Sequence, residues 1–260
     1  MRRPIATLNF HSGFTLIEVV AVVVVLSILA VLGGKFVFES TRAYNSTQTR
    51  SQLVNTGRQA VESMTRQLRV SLSYSVRVTN TNTCLEFMPI VSGGSYLNPV
   101  ADSVNGVAAS ASIAVSPHSI DSGSAQFVSI GAASSTEVYG VAPVSRETLN
   151  SRTVTSLTLN AAKTWQRNSL GQHFFLLDAP QAFCIVGGQL RFYSGQDATT
   201  ASVNTASAYS LLADNVTATT PFSVSSGSEN RNTNVLFNIT FVKNGESISL
   251  NQTVMIRNVP

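Results

Sequence analysis

An almost unbroken apolar run from Phe14 to Leu32 constrains the fold of this chain more than any other feature. A helix over that run would be about 28 Å long, close to the ~30 Å hydrocarbon core of a bilayer. One carboxylate, Glu18, lies inside the run, although a charge in a membrane helix costs roughly 2.5–3.5 kcal/mol on insertion scales. The run therefore predicts a membrane-spanning helix in which Glu18 has a function.

The flanks of the run indicate an orientation. Arg2 and Arg3 precede it, which predicts a cytoplasmic leader and an exported C-terminal part. A secretory signal peptide fits poorly, because the run exceeds the usual 7–15 apolar residues, contains Glu18 and lacks a clear small-x-small cleavage site. A plain uncleaved signal anchor fits the length and the flanks, but it leaves Glu18 unexplained.

The composition predicts one anchoring element followed by one globular domain in 260 residues. Charged residues make up 12% of the chain, against about 25% in typical globular proteins, and Ser, Thr and Asn replace them. This pattern favours an exposed β-rich protein outside the cytoplasm. The leader carries a net charge of +2 and Lys35–Ser73 one of +4, against +4 for the whole chain, so the remainder is close to neutral or slightly acidic. A nearly neutral globular part argues against a nucleic-acid binder.

The segment after the apolar run is predicted to continue as an amphipathic helix from Lys35 to about Leu72. No proline occurs between Pro4 and Pro89. Apolar residues recur three or four positions apart, which predicts one helix face packed against a sheet. The members of this stripe are Val54, Val61, Met64, Leu68 and Leu72.

Four arginines of this segment, Arg42, Arg50, Arg58 and Arg66, recur every eight residues. Eight steps of 100° exceed two turns by about 80°, so these side chains spiral around the helix and do not share one face. Two interpretations are open for them. They form either a solvated helix surface or contacts with acidic groups on another chain.

From Tyr74 onward, short β-type runs bounded by turn signals predict an antiparallel sheet. Gly187-Gly188 and Lys243–Glu246 are predicted to be tight hairpin turns. Two Ser/Ala/Gly/Asn-rich stretches, Ser92–Ser135 and Ser194–Asn234, are long for structureless loops and predict extra irregular strands or exposed loops. The predicted strands are Tyr74–Thr79, Cys84–Ile90, Thr153–Leu159, His173–Leu177, Ala182–Val186, Gln189–Tyr193, Val235–Val242 and Ser247–Ile256.

The two cysteines, Cys84 and Cys184, belong to no CxxC or Cys/His cluster, so they do not predict a zinc site. In an exported domain we expect them to form a disulfide. It would close a loop of about 100 residues and contribute at most roughly 4.7 kcal/mol on the chain-entropy model. The alternative is a pair of buried free thiols.

The segment Gly13-Phe14-Thr15-Leu16-Ile17-Glu18-Val19-Val20 resembles the class III signal of type IV pilins and type II secretion pseudopilins. The resemblance implies that a prepilin peptidase cuts after Gly13 and that the new amino terminus, Phe14, is N-methylated. It also implies that Glu18 meets the Phe14 amine of a neighbouring subunit in a filament. In a medium of low dielectric constant such a pair sets the register between apolar helices.

The resemblance further implies an α+β pilin-like ladle, in which the second half of a long N-terminal helix packs on an antiparallel β-sheet domain. It also suggests a hinge at Gly33 and Gly34, because the matching part of many pilin helices unwinds in the fibre. The alternative is a weak point without function, since each glycine costs about 0.8–1 kcal/mol in a helix. The expected segments are a cleaved leader (1–13), a transmembrane and filament-core helix (14–34), an amphipathic helix (35–73) and a β-rich head (74–260).

Two segments of the head, Phe183–Tyr193 and Gln252–Pro260, resemble large minor pilins. The likeness is strongest to those of mannose-sensitive haemagglutinin (MSHA) type IV pili, and weaker to J-type pseudopilins of type II secretion. The implied function is structural, with other pilins, a prepilin peptidase and the inner membrane as partners. We expect no cofactor, no nucleic acid and no small-molecule substrate. An adhesin that binds a glycan, a surface or DNA directly is an alternative.

No signature of catalysis accompanies these features. GxSxG, P-loop and GxGxxG arrangements in a suitable strand–helix context are missing, which leaves a membrane-tethered hydrolase without a nucleophile motif. The scattered acids of the head do not have the spacing of an EF-hand. A Ca²⁺-binding loop of another kind, bordered by these acids, is an alternative. The other residues considered are His118 and His173 as possible ligands, Trp165 with Lys163 and Arg167 as a possible glycan or DNA patch, and Asp178, Asp197 and Asp214 as the scattered acids.

Overall fold

The computed structural model describes residues 13, 15–118, 124–228 and 231–258. Helix α1, Leu16–Arg69, contains 54 residues. The chain divides into two compact units between Thr49 and Arg50, so α1 contributes to both. The predicted helix end at about Leu72 lies three residues too late. Ser71 Oγ donates a hydrogen bond of 2.7 Å to the Leu68 carbonyl oxygen, and this bond caps the last turn in place of a further helical residue.

The part of α1 in the second unit buries one face. The buried positions are spaced three or four residues apart, as predicted, but the stripe begins at Leu53, and Val54 is only half-buried. Gly57 lies in this stripe, where a Cβ atom would come within 2.6 Å of Leu250 Cδ1 and 2.9 Å of Phe241 Cε2. A glycine here lets the helix approach the sheet closely. The buried apolar side chains are Leu53, Ala60, Val61, Met64 and Leu68.

After α1 the described residues form a single 3-10 turn (Ser73–Ser75), fifteen strands and one short helix, α2 (Ser135–Val138). The strands are β1 Arg77–Thr79, β2 Cys84–Phe87, β3 Ile90–Ser95, β4 Ser110–Ala114, β5 Phe127–Ser129, β6 Arg146–Arg152, β7 Ser156–Lys163, β8 His173–Leu177, β9 Gln181–Val186, β10 Gln189–Tyr193, β11 Ser210–Asp214, β12 Val216–Thr217, β13 Phe222–Ser225, β14 Thr233–Lys243 and β15 Glu246–Ile256.

These strands form three sheets with antiparallel pairing throughout, so the α+β class with a long N-terminal helix is confirmed. One sheet has the order β1-β2-β9-β10-β11, and another has the order β3-β8-β5-β6-β7-β4. In the remaining sheet, β14 pairs with β12 and β13 along one edge and with β15 along the other.

Both predicted hairpins are present. Gly187 and Gly188 join β9 to β10 with φ of 59° and 77°, and Asn244 and Gly245 join β14 to β15 with φ of 52° and 81°. Positive φ at both central positions is the type I′ arrangement that favours Gly and Asn. The two Ser/Ala/Gly/Asn-rich stretches contain strands, as one of the two predictions for them stated: β3, β4 and β5 in the first, and β11, β12 and β13 in the second.

The head has two main cores, and its strands form three sheets where an antiparallel sheet was predicted. The first lies between α1 and the sheets that contain β2, β9 and β14. The second belongs to the six-stranded sheet and surrounds Trp165. The second core was not predicted, because strands β3 and β4 of its sheet are rich in Ser, Ala and Gly, so their alternation of apolar and polar residues is weak.

Candidate functional site

The N-terminus of α1 has a capping arrangement that explains part of its sequence. Thr15 precedes the helix, and the Glu18 backbone N–H lies 3.4 Å from Thr15 Oγ1 and 3.1 Å from the Thr15 carbonyl oxygen. Thr-x-x-Glu is the capping-box sequence, in which the acid stands in the first turn. A carboxylate there also interacts favourably with the helix dipole. Glu18 therefore suits the start of this helix apart from any contact with another chain.

The Glu18 side chain is exposed, and no described residue forms an ion pair or a side-chain hydrogen bond with its carboxylate. Phe14, whose amine is the expected partner on a neighbouring subunit, lies outside the described residues. Gly13 is exposed, and nothing lies within 4 Å of the position a Cβ atom would take there. The space around the expected cleavage position is thus open within the described part of the chain.

The first thirty residues of α1 bury none of their side chains. Large apolar side chains project from every side of the helix, and their exposure ranges from 49% at Val22 to 83% at Leu16. By length and composition α1 qualifies as a membrane-crossing helix, with a mean hydropathy of 2.9 in its most apolar window. A helix that is apolar all round needs lipid or other helices as its environment.

Gly33 and Gly34 lie inside the unbroken helix α1. Nothing lies within 4 Å of the position a Cβ atom would take at either residue. No packing contact in this part of the chain therefore requires glycine. This observation leaves the choice between a hinge and a neutral weak point open.

The two cysteines form a disulfide, Cys84–Cys184. They are directly opposite each other on β2 and β9, and both are fully buried. The bond closes a loop with a sequence separation of 100. It links β2 and β9, two paired strands of the five-stranded sheet that are far apart in the sequence.

An ion pair with a fully buried carboxylate joins β1 and β2. Glu86 on β2 is fully buried, its Oε2 accepts a hydrogen bond of 2.7 Å from Arg77 Nε on β1, and Arg77 Nη2 lies 2.7 Å from the same oxygen. The Arg77 guanidinium lies 3.6 Å from the centroid of the Tyr139 ring. Burial raises the pKa of Glu86, and Arg77 partly opposes this rise. Burial also raises the pKa of Tyr139, and the negative charge of Glu86 adds to that effect.

The other residues considered from the sequence have structural roles. Trp165 is 2% exposed, so its ring face is not available as a platform for a glycan or DNA. Arg167 forms two hydrogen bonds of 2.8 and 2.9 Å with the Glu137 carboxylate. His118 contacts Phe174 edge to face, and His173 Nδ1 lies 3.4 Å from Ser95 Oγ.

The three scattered acids do not meet. Asp178 accepts hydrogen bonds from Ser124 and Gln126, and Asp214 accepts one from Gln189. Asp197 binds the backbone N–H and the hydroxyl of Thr199. The described residues contain no group of three or more acids, histidines or cysteines that could hold a metal ion.

Sequence reasoning missed the Arg77–Glu86 and Arg167–Glu137 pairs. Glu86 lies two residues after Cys84 within a predicted strand, so both side chains are on the same face, and this shared face is the signal that could have indicated burial of Glu86. Glu137 and Arg167 are thirty positions apart and meet only through the fold. The capping role of Thr15, in contrast, is visible in the sequence as Thr-x-x-Glu.

Comparison with known proteins supports the interpretation of the N-terminal segment. Residues 8–33 match the family model of the prokaryotic N-terminal methylation motif. The chain matches no curated protein and no solved structure. The matched motif and the exposed apolar helix support a type IV pilin-like subunit that is anchored in a membrane, processed by a prepilin peptidase and assembled with other pilins.

Proposed function

We propose that the chain is a non-enzymatic minor-pilin-like subunit of an MSHA-type type IV pilus, similar to the biogenesis minor pilin MshO. The observation that carries the proposal is the apolar first part of α1, which is exposed on every side and has a single carboxylate in its first turn. The helix anchors the subunit in the inner membrane, with the head on the periplasmic side, and then enters the fibre core. The β9–β10 hairpin and the C-terminal segment carry the finer likeness to MSHA subunits.

The mature N-terminus tests this proposal. Prepilin peptidase cuts after Gly13, and methylation leaves N-methyl-Phe14 as the first residue. Mass spectrometry of the chain purified from membranes should therefore detect N-methylated Phe14, and Gly13→Ala should block the cut. A membrane-bound chain that begins at Met1 would contradict the proposal.

The pairing of Glu18 with the Phe14 amine of a neighbour needs a test that separates it from helix capping. Glutamine can take the place of glutamate in a capping box but removes its negative charge, whereas aspartate retains that charge. We therefore expect Glu18→Gln to enter membranes normally but to be lost from purified fibres, and Glu18→Asp to retain part of the assembly. Equal incorporation of Glu18→Gln and the unmodified chain would show that capping is the whole role of this residue.

The hinge at Gly33 and Gly34 is part of the same proposal. Alanine fits both positions because nothing lies within 4 Å of either. Each replacement stabilises the helical state by about 0.8–1 kcal/mol relative to the unwound state. The double variant should therefore insert into membranes normally and incorporate poorly into fibres. Unchanged incorporation would leave the glycines as a weak point without function.

The bulk of the head favours a low-copy position at or near the fibre tip. The second unit extends from Arg50 to Pro260, which is large for a subunit that repeats densely along a shaft. Quantitative mass spectrometry of purified fibres should give far fewer copies of this chain than of the major subunit, and gold-labelled antibody should mark fibre ends. Labelling along whole fibres would contradict this position.

A J-type pseudopilin of a type II secretion system is the second candidate, because the same motif and the same kind of helix support it. Deletion separates the two functions. Loss of surface fibres with normal export of secreted enzymes supports the pilus. The opposite result supports the secretion system.

A further inference from the structure

The edge formed by β15 differs from a protected sheet edge. This strand pairs with β14 along its whole length of 11 residues, from Glu246 to Ile256. No strand of the described chain pairs with its other side. An edge strand presents unpaired backbone N–H and C=O groups, which is a ready template for a strand from another chain.

The other sheet edges of the described head are short or irregular. Edge strands β1, β12 and β13 contain three, two and four residues. Register shifts interrupt the pairing of edge strands β3, β4 and β11. Both features limit unwanted strand pairing. The β15 edge has neither, and its 11 residues include no Pro, Gly or Lys.

A groove runs along this edge. A cavity of about 390 Å³ is lined by Leu250, Asn251 and Gln252 at the middle of β15, and by side chains of α1. Successive side chains of a strand point to opposite faces. Because all three consecutive residues line the groove, it follows the edge of the strand and not one of its faces. The lining residues of α1 are Arg58, Val61, Glu62, Thr65 and Arg69.

The groove is basic with an apolar floor. Glu62 is already paired with Arg66, 3.2 Å away and outside the groove. Arg58 and Arg69 are exposed, and no described residue forms an ion pair with either. Val61, which is 7% exposed, contributes to the floor with the half-buried Leu250. This chemistry fits an extended segment with acidic residues and small apolar side chains.

The distance between Arg58 and Arg69 determines how far apart the acidic residues of a bound segment should be. Arg50 forms an ion pair with Glu246, and Gly57 approaches Leu250, so α1 and β15 run side by side in the same direction. The eleven-residue step from Arg58 to Arg69 spans about 16 Å of helix. That distance equals about five residues of a strand. Carboxylates on one face of an added strand would reach both arginines from positions about four or six residues apart.

We propose that the β15 edge and its groove bind an extended acidic segment of another protein chain, which adds to the sheet as a further strand. Main-chain hydrogen bonds to β15 would provide affinity, and ion pairs with Arg58 and Arg69 would provide selectivity. This inference goes beyond the proposed function and does not depend on it. Cleavage at Gly13 and binding at β15 are measured separately and can fail separately.

The test uses the full chain in non-ionic detergent micelles and a synthetic peptide of about nine alternating Thr and Val residues, with two Glu about six positions apart on the Val face. Hydrogen exchange measures the backbone amides of β15. We expect the peptide to slow exchange in 246–256 at least about tenfold at saturation, because added backbone hydrogen bonds protect amides. The same peptide with N-methylated amides, or with Lys in place of Glu, should give little protection.

Charge-reversal variants assign the site. Arg58→Glu and Arg69→Glu should each weaken peptide binding about fivefold at low salt. Arg42→Glu makes the same change on the same helix outside the groove and leaves the Glu62–Arg66 ion pair intact, so it is the control and should bind normally. Trp165 fluorescence checks that all variants fold.

The proposal would be overturned by no protection of β15 with the acidic peptide, by equal protection with the Lys peptide, or by the same loss in all three variants. Protection of β15 that rises with protein concentration alone, without peptide, would identify a second copy of this chain as the occupant. That result would also overturn the proposal.

Discussion

Helix α1 has two parts of different character. Comparing them shows which apolar side chains are buried within the chain and which need lipid or other helices as their environment. The residues from Leu16 to Tyr44 are exposed on all sides although most of them are apolar. From Arg50 to Arg69 the helix buries one stripe against the sheets. The first part therefore needs lipid or other helices, whereas the second finds its partner within the chain.

The disulfide gives the largest expected effect, and only the head contains one. Cys84→Ala combined with Cys184→Ala should lower the free energy of unfolding of the head by about 2–5 kcal/mol, because the unfolded chain regains the freedom of a long loop. Urea unfolding of the full chain in micelles, followed by fluorescence of the single tryptophan, Trp165, measures this loss. Membrane insertion should not change. An unchanged urea midpoint would contradict the expected role of the bond.

A matched pair of core substitutions tests the two parts of α1 directly. Met64 is fully buried, so Met64→Ala should cost the head about 2–5 kcal/mol through lost burial and an unfilled cavity. Leu26 is 58% exposed, so Leu26→Ala should leave the unfolding of the head unchanged. The same urea titration measures both. A comparable loss in Leu26→Ala would show that the apolar segment also stabilises the head.

The carboxylates of Glu86 in the head and Glu18 in the apolar part of α1 should differ in their effect on the pH dependence of head stability. The raised pKa of buried Glu86 means that the folded head binds more protons than the unfolded chain between the ordinary value of 4.5 and the raised value. Stability should therefore fall as pH rises through this window, by at most about 1.4 kcal/mol per pH unit from one group. Glu86→Gln should remove this slope, and Glu18→Gln should not. Urea midpoints of the unmodified chain and of both variants, measured between pH 4 and 8, test this expectation.

Glycine replacements give the smallest expected effect. At Gly57 an alanine Cβ would overlap Leu250 and Phe241, with a packing cost of roughly 1–3 kcal/mol. Better helix propensity offsets about 1 kcal/mol of it, so Gly57→Ala should lower head stability by about 1 kcal/mol. Gly33→Ala has open space and should not change it. If Gly57→Ala stabilises the head, the sheet adjusts to the added methyl group.

Sequence patterns predicted the strands that have a clear apolar run and the hairpins that have characteristic turn residues. The strands His173–Leu177 and Gln189–Tyr193 have the predicted bounds, and both Gly- or Asn-containing hairpins are where the turn residues indicated. Strands β4 and β5 were predicted only as irregular strands or exposed loops, without bounds, because Ser- and Ala-rich runs fit loops as well as strands. Their pairing with distant strands, and not their own propensity, makes them extended.

The character of the N-terminal segment follows from its local sequence alone. Length, apolar composition and the positions of Gly13 and Glu18 act locally along one helix, so no tertiary contact is needed to recognise them. Three features appear only in the folded chain: Arg77 pairs with Glu86, the head has two cores, and β15 lies beside a basic groove of α1. Those features join residues far apart in the chain, and such contacts depend on packing that no local pattern encodes.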